Sequence, residues 1–278
     1  MDIPQLHASL SVADKVVIIT GGYGLIGRTI AEAFLQQGAR VVIADIDASH
    51  HDTVQQQLAE HFAPDRFLLH HLDITNEASC RAVVEATVEK FRKLDVLINN
   101  AAIDAKFDKE NTGKVNQSRF EHYPVDLLRK SVDVNLMGTV IMTQQACRQM
   151  LAQGQGNIIN VASTYSMVAP NQSLYDFGQG VQQYKPIDYI ASKSFIPNFT
   201  RYIATFYAQE GIRCNAIVPH AIFNNHSEAF LTNFSRLSPL GRMCEREELI
   251  GPFTFLASEA SSYMTGSVLT VDGGWTAW

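Results

Sequence analysis

Charge of one sign, paired cysteines and long apolar runs are all scarce in this chain. Of its 278 residues, 22 are Lys or Arg and 28 are Asp or Glu, giving a formal net charge of -6 and a pI near 5.8. That balance leaves no basic footprint for nucleic acid or for an anionic membrane surface. No apolar run approaches the roughly 20 residues that span a bilayer. Residues 1–11 carry no basic start followed by an apolar core, so no signal peptide is expected. The four cysteines (Cys80, Cys147, Cys214, Cys244) never fall at CxxC spacing, which suits free thiols in a reducing cytoplasm. The pairs His50-His51 and His70-His71 invite a metal reading. No Cys or carboxylate completes them at ligand spacing, and adjacent strand residues point to opposite faces, so no metal is expected. A Pro/Gly/Ser-rich linker, an internal repeat and a low-complexity tract are also missing. One domain over residues 1–278 follows.

What is present is an alternation of strand and helix. Residues 15–20 (KVVIIT) form a β-branched run, read as a buried strand. A glycine turn follows, then a helical pattern over 28–37 with Gly38 as its C-cap. Gly22, Gly24 and Gly27 match GxGxxG between strand and helix, where such a turn brings backbone and helix N-terminus against a pyrophosphate. A second strand, 40–44, ends at Asp45, near the offset of about 20 residues expected for a carboxylate that grips a ribose 2′-OH. A carboxylate there repels a 2′-phosphate, and no Arg follows immediately, so NAD is favoured over NADP.

Further helices are expected over 49–61, 76–92, 125–151, 189–209 and 245–258. Strands are expected over 66–72, 95–99, 156–161, 212–218 and 267–271. The fold class is therefore α/β: a Rossmann-type, doubly wound parallel sheet in three layers, with its ligand outside the carboxyl ends of the strands. Asp45, Asp73, Asn99 and Ser163 fall at such ends.

Tyr189 and Lys193 stand four residues apart, on one face if the segment is helical. Of the nine tyrosines, Tyr189 alone has a Lys at that spacing. A fixed ammonium one turn away favours the phenolate and brings the phenol, with its ordinary pKa of about 10, toward use as a general acid/base.

These residues sit in an ordered set of motifs: the turn at 20–27, Leu72-Asp73-Ile74-Thr75, Asn99-Asn100-Ala101-Ala102 and Val134-Asn135-Leu136. Asn160-Val161-Ala162-Ser163, Tyr189-Ile190-Ala191-Ser192-Lys193, Asn215-Ala216-Ile217-Val218-Pro219 and a Val271-Asp272-Gly273-Gly274-Trp275 ending complete it. In that order, over nearly the whole chain, the sequence resembles a short-chain dehydrogenase/reductase of the single-domain branch. The stretch 101–108 and the C-terminal end are also similar to dehydrogenases encoded with flagellin-glycosylation and nonulosonic-acid genes.

The resemblance implies an NAD(P)-linked oxidoreductase acting on a CH–OH group, with Asn135, Ser163, Tyr189 and Lys193 as the catalytic set. In it Ser163 bonds the substrate oxygen, Tyr189 moves the proton, and Asn135 anchors a water that links Lys193 to solvent. Cofactor contacts are implied at Gly21, Gly24, Leu25, Ile26, Gly27, Asp45, Asp73, Ile74, Asn100, Ala101, Tyr189, Lys193, Pro219 and Ile222. The resemblance further implies a homotetramer, or a homodimer, through the helices of 125–151 and 189–209.

The chain departs from the family pattern in four places. The turn reads TGxxGxxG, with Leu25 where a glycine is usual, a spacing similar to that of the epimerase and dehydratase branch. Pro219 is followed by His220 rather than glycine, which makes His220 either a pocket residue or a structural one. Pro197 lies inside the expected catalytic helix and should kink it. The segment 164–188 is longer than usual. That segment, with 103–124 and 220–244, forms the expected substrate loops, because long loops at strand ends are commonly functional. Their polar side chains suit a sugar-like small molecule, with Lys106, Tyr165, Lys185 and His220 as candidate contacts. A solvated loop face is the alternative. Two other functions stay open: an epimerase or dehydratase with tightly held NAD, and a non-catalytic dinucleotide-sensing scaffold.

Overall fold

Seven short runs dominated by aliphatic and β-branched residues fold as strands: β1 (Val16–Thr20), β2 (Arg40–Asp45), β3 (Phe67–His71), β4 (Val96–Asn99), β5 (Gly156–Val161), β6 (Ile212–Pro219) and β7 (Val268–Val271). The computed structural model describes residues 8–104, 118–176 and 182–278. All seven strands pair in parallel in the order β3-β2-β1-β4-β5-β6-β7. Strands buried on both faces need no polar alternation, and β1 is buried at every position.

The helices α1 (Leu25–Gln36), α2 (His51–Ala59) and α3 (Glu77–Phe91) come from the first half of the chain. Then follow α4 (Val125–Ser131), α5 (Thr139–Gln153), α6 (Ile187–Lys193), α7 (Ile196–Phe206), α8 (Glu228–Leu237) and α9 (Ile250–Ala257). Two cores sandwich the sheet. Phe34, Leu58, Phe253 and Leu256 of α1, α2 and α9 pack on Val17, Ile19, Val41 and Ile43. Val83, Phe91, Met142, Ala146 and Ile203 of α3, α5 and α7 pack on Val16, Ile18, Leu97 and Ile158. The order of strands reverses between β1 and β4, which opens a crevice at their carboxyl ends.

Three expected elements differ in detail. The helix over 125–151 is interrupted by a π-helical turn, Val132–Gly138, that carries Asn135. The expected kink at Pro197 is a full break. The chain stops α6 at Lys193 and restarts α7 at Ile196, with Pro197 in the first turn, where its missing N–H costs no bond. The loop 220–244 contains a helix, α8, started by Ser227, whose Oγ accepts the Phe230 N–H at 3.3 Å.

Candidate active site

The crevice is a cleft of about 1510 Å³. One half is built on the glycine turn. Gly21 has φ +64°, and a Cβ on it would come within 2.7 Å of Ala101 Cα. A Cβ on Gly27 would run into the Gly21 carbonyl oxygen, whereas Gly24 has room for one. The close approach therefore depends on Gly21 and Gly27, and Leu25 is accommodated as the first residue of α1. Gly24 is the N-cap of α1 and offers no side-chain cap, so the first-turn N–H groups of Leu25, Ile26 and Gly27 are available to an anion.

Asp45 closes this half. Its Oδ2 accepts the Tyr23 N–H at 2.9 Å and its Oδ1 the Asp47 N–H at 3.0 Å. The residues that follow it into the cleft are Ile46 and Asp47. Asp73, Ile74, Asn100, Ala101, Pro219 and Ile222 line the same cleft, and Gly27 lies beneath it as the packing glycine. These residues fit a dinucleotide: a phosphate cradle that a side chain would fill, and a carboxylate at the end of the neighbouring strand β2.

Ser163, Tyr189 and Lys193 are brought together at the other half. Ser163 lies two residues beyond β5 and caps a short 3-10 turn, Thr164–Ser166. Ser163 Oγ accepts the Tyr165 N–H at 3.2 Å and lies beside the Tyr189 phenol. Lys193 is 3% exposed and its Nζ donates to the Val161 carbonyl at 2.7 Å. Burial pulls the ammonium down to about 8, against the Asp104 carboxylate, which supports the charge. The Tyr189 phenol does not follow the expected direction. Burial and the Asp104 charge push its proton affinity above that of a free phenol, and the Ser163 hydrogen bond opposes them. Lys193 Nζ, one turn along the helix, is turned to the Val161 carbonyl.

Asn135 is buried and its side chain is fully engaged. Its Oδ1 accepts the Ile103 N–H, and its Nδ2 donates to the Ile103 carbonyl and to Ser192 Oγ, each at 2.8 Å. The side-chain amide braces the loop after β4 against α6. The π-turn swings the Asn135 backbone out of α-helical register, a feature common at functional sites.

Tyr165, Lys185 and His220 all reach the cleft. Lys106, with Lys109 and Lys114, lies outside the described residues. Tyr165 Oη pairs with Tyr175 Oη at 3.0 Å. Lys185 Nζ sits 2.6 Å from each Asp104 carboxylate oxygen, so its charge is already matched. His220 is 7% exposed and its Nδ1 bonds Thr164 Oγ1 at 2.5 Å. It packs on Trp275 at 4.4 Å and Phe234 at 5.4 Å. Burial lowers its pKa to about 4, with Asp272 pulling the other way.

The segment 164–188 reaches the cleft only in part. Gln172 Oε1 accepts the Lys185 N–H, Gln182 Nε2 donates to the Gln172 carbonyl, and Asn171 caps Ser173, so these loop amides serve the loop. Tyr165, Tyr175, Gln183 and Lys185 of that segment line the cleft, with Phe230, Phe234 and Met243 beside them. Phe230 and Phe234 of α8 were not expected there. Neither was the burial of Trp275 on Phe234 at 5.1 Å, which leaves Trp278 as the uncovered C-terminal aromatic. The Ser227 cap and the apolar spacing of Phe230, Leu231, Phe234 and Leu237 are the signals that mark α8. Among the described residues no three His, Cys, Asp or Glu gather as a metal site. His50 and His51 pair instead with Asp47 and Tyr23.

Residues 24–276 match the family model described as enoyl-(acyl carrier protein) reductase. The chain is 31% identical over 281 residues to the NAD-dependent glycerol dehydrogenase of Listeria innocua, covering 99% of each. It is 33% identical over 269 residues to the L-rhamnose 1-dehydrogenase (NAD(P)(+)) of Azotobacter vinelandii, covering 94% of this chain and 96% of the relative. The post-translational flagellin modification protein A of Campylobacter coli is 25% identical over 262 residues, covering 94% and 98%. A solved short-chain dehydrogenase from Leptospira borgpetersenii with bound NAD+ superposes with a TM-score of 0.80, at 32% identity, covering 96% of this chain and 95% of that one.

The buried His220 makes the cleft acid-sensitive. Its folded pKa of about 4 lies below the unfolded value of 6.5, so unfolding takes up a proton as pH falls. Stability is therefore lost between pH 6.5 and 4, on the order of 3 kcal/mol at the lower end. Denaturant melts across that window should fall less steeply for His220→Phe, which cannot take up the proton. Parallel acid limbs for the two proteins would show that His220 is not the group responsible.

Proposed function

The chain belongs to the short-chain dehydrogenase/reductase family, an assignment carried by the family match and by relatives aligned along almost its entire length, and from that premise we propose that it is an NAD-dependent oxidoreductase of a compact, sugar-like alcohol. That it is an NAD(P)-linked enzyme of CH–OH groups follows from the family. The convergence of Ser163, Tyr189 and Lys193 opposite the glycine turn carries the proposal furthest.

In this reading the first-turn N–H groups of α1 hold the pyrophosphate and Asp45 accepts from the adenosine ribose. Lys193 and Tyr189 face the nicotinamide ribose, and Pro219 and Ile222 form the wall behind the ring. When bound, the nicotinamide accepts the hydride of the CH–OH carbon, or returns it in the reverse direction. Ser163 Oγ donates to the substrate oxygen and keeps it against Tyr189. On oxidation the Tyr189 phenol first gives its proton to solvent, and the resulting phenolate oxygen takes the alcohol proton as the carbonyl forms; on reduction the phenol gives that proton to the forming alcohol. Lys193 supplies the buried positive charge that favours the phenolate at that moment.

NAD over NADP rests on Asp45 being followed by Ile46 and Asp47, so a 2′-phosphate would meet carboxylates with no cation between them. The sugar-like substrate rests on the wall itself. Aromatic faces pack on the C–H side of a ring, while the Tyr165 and Tyr175 hydroxyls, Ser163 and Gln183 meet its hydroxyls. A cytoplasmic homotetramer, or a homodimer, is supported by the exposed Tyr202–Phe206 pair and Met137 on the outer faces of α7 and the π-turn.

Replacing Tyr189 with Phe keeps the ring and removes the proton. Turnover should drop about 10²–10⁴-fold while NAD binding survives; undiminished turnover would remove Tyr189 from the mechanism. Asp45→Ala should narrow the preference for NAD+ over NADP+, and equal use of both by the unmodified protein would contradict the cofactor assignment. Light scattering should give a mass above that of one chain, and a monomer would refute the assembly.

A further inference from the structure

An ion pair ties together two segments that border the substrate end of the cleft. Lys185, just ahead of α6, places Nζ 2.6 Å from both oxygens of Asp104, which follows β4. A bridge between two solvated loops contributes little. This one differs on its cationic side: the Lys185 side chain is 8% exposed. The same ammonium stands 4.6 Å from the centroid of the Tyr189 ring and 5.9 Å from that of Tyr165. A cation over an aromatic face is attracted to the neutral ring, and far more strongly to the same ring once it is an anion.

We propose that Lys185 is a positioning residue for the proton transfer: held over the ring by Asp104, it stabilises the Tyr189 phenolate, and the Asp104 carboxylate limits that stabilisation. The proposal rests on the reading of Tyr189 as the acid/base. Lys185 thereby changes from a candidate substrate contact to a second cation on the phenol, independent of Lys193, whose ammonium is turned to the Val161 carbonyl.

Several charged and titratable groups surround Tyr189. Lys193 lies on its own helix, Ser163 and Tyr165 beyond β5, and Asp104 beyond β4. Lys185 lies ahead of α6, and His220 beyond β6 packs edge-on to Tyr165 at 6.0 Å and is buried as a neutral ring. Lys130 lines the cleft from α4. Asp188 is turned to Ser131, with Oδ2 at 2.7 Å from its Oγ.

The two members of the pair act on the phenol with opposite signs, and that separates an electrostatic role from a brace. Phenolate absorbance is titrated in NAD+-saturated protein, each variant read against the same variant carrying Tyr189→Phe. The pH dependence of kcat/KM for alcohol oxidation is measured alongside. Lys185→Met should move the phenolate rise and the kinetic limb upward by about one pH unit, and Asp104→Asn should move both downward. Lys185→Arg, which keeps a cation over the ring, should restore the wild-type position.

A brace would respond in the same way to loss of either partner, because either variant breaks the one bridge. Shifts of the same sign, or an unmoved phenolate in Lys185→Met, overturn the proposal. If Lys185→Met fails to fold, Asp104→Asn decides alone: a downward shift supports the assignment, and an unchanged or upward one overturns it. Opposite absorbance shifts beside a fixed kinetic limb uphold Lys185 and count against Tyr189 as the acid/base.

Discussion

Four hydrogen bonds between the end of β1 and the end of β4 set the geometry of the cleft. Thr20 Oγ1 accepts the N–H groups of Asn100 and Ala101 at 3.0 Å. Asn100 Nδ2 donates to the carbonyls of Thr20 and Gly21, also at 3.0 Å. The contacts pull the glycine turn onto the neighbouring strand so closely that Gly21 can carry no side chain. They lie where the strand order reverses, so they determine how wide the crevice opens and which way the first turn of α1 faces. Each is buried or half-buried, where an unpaired donor costs about 1–3 kcal/mol, so the turn is held by the penalty of releasing it.

From that point the polar order spreads through the sheet to the proton-transfer residues. Asn99, next to Asn100, bonds Thr143 of α5 and Asn160 of β5, and Asn160 bonds Thr200 of α7. Asn135 joins the loop after β4 to Ser192, one residue before Lys193. The residues that could hold a dinucleotide and those that could move a proton thus share one buried network. The π-turn in the helix that carries Asn135 is part of this arrangement, since it delivers a side-chain amide to a backbone edge that a regular helix would pass by.

Periodicity made the scaffold legible. The seven strands were readable because each is a short apolar run followed by a turn or a cap, and their parallel order follows from the helices between them. The residues gathered in the cleft were readable because their motifs are local, and the strand ends bring them together. What was not readable depends on distance across the fold. The salt bridge from Asp104 to Lys185 joins residues far apart in sequence, and burial of the Tyr189 phenol, with the Asp104 charge beside it, reverses the direction expected from the Lys193 spacing alone. Phe230 and Phe234 were missed for a different reason: α8 lies in a stretch read as loop.

The central claim is that this cleft moves hydride from a CH–OH carbon to the nicotinamide and leaves it there as product. It is tested most directly with an alcohol substrate deuterated at the reacting carbon, incubated with the NAD+-saturated protein, followed by mass analysis of the recovered cofactor. The account predicts a reduced nicotinamide that carries the deuterium, accumulating together with the ketone or aldehyde. Cofactor recovered unreduced, with the deuterium retained in an isomerised or dehydrated product, would contradict it.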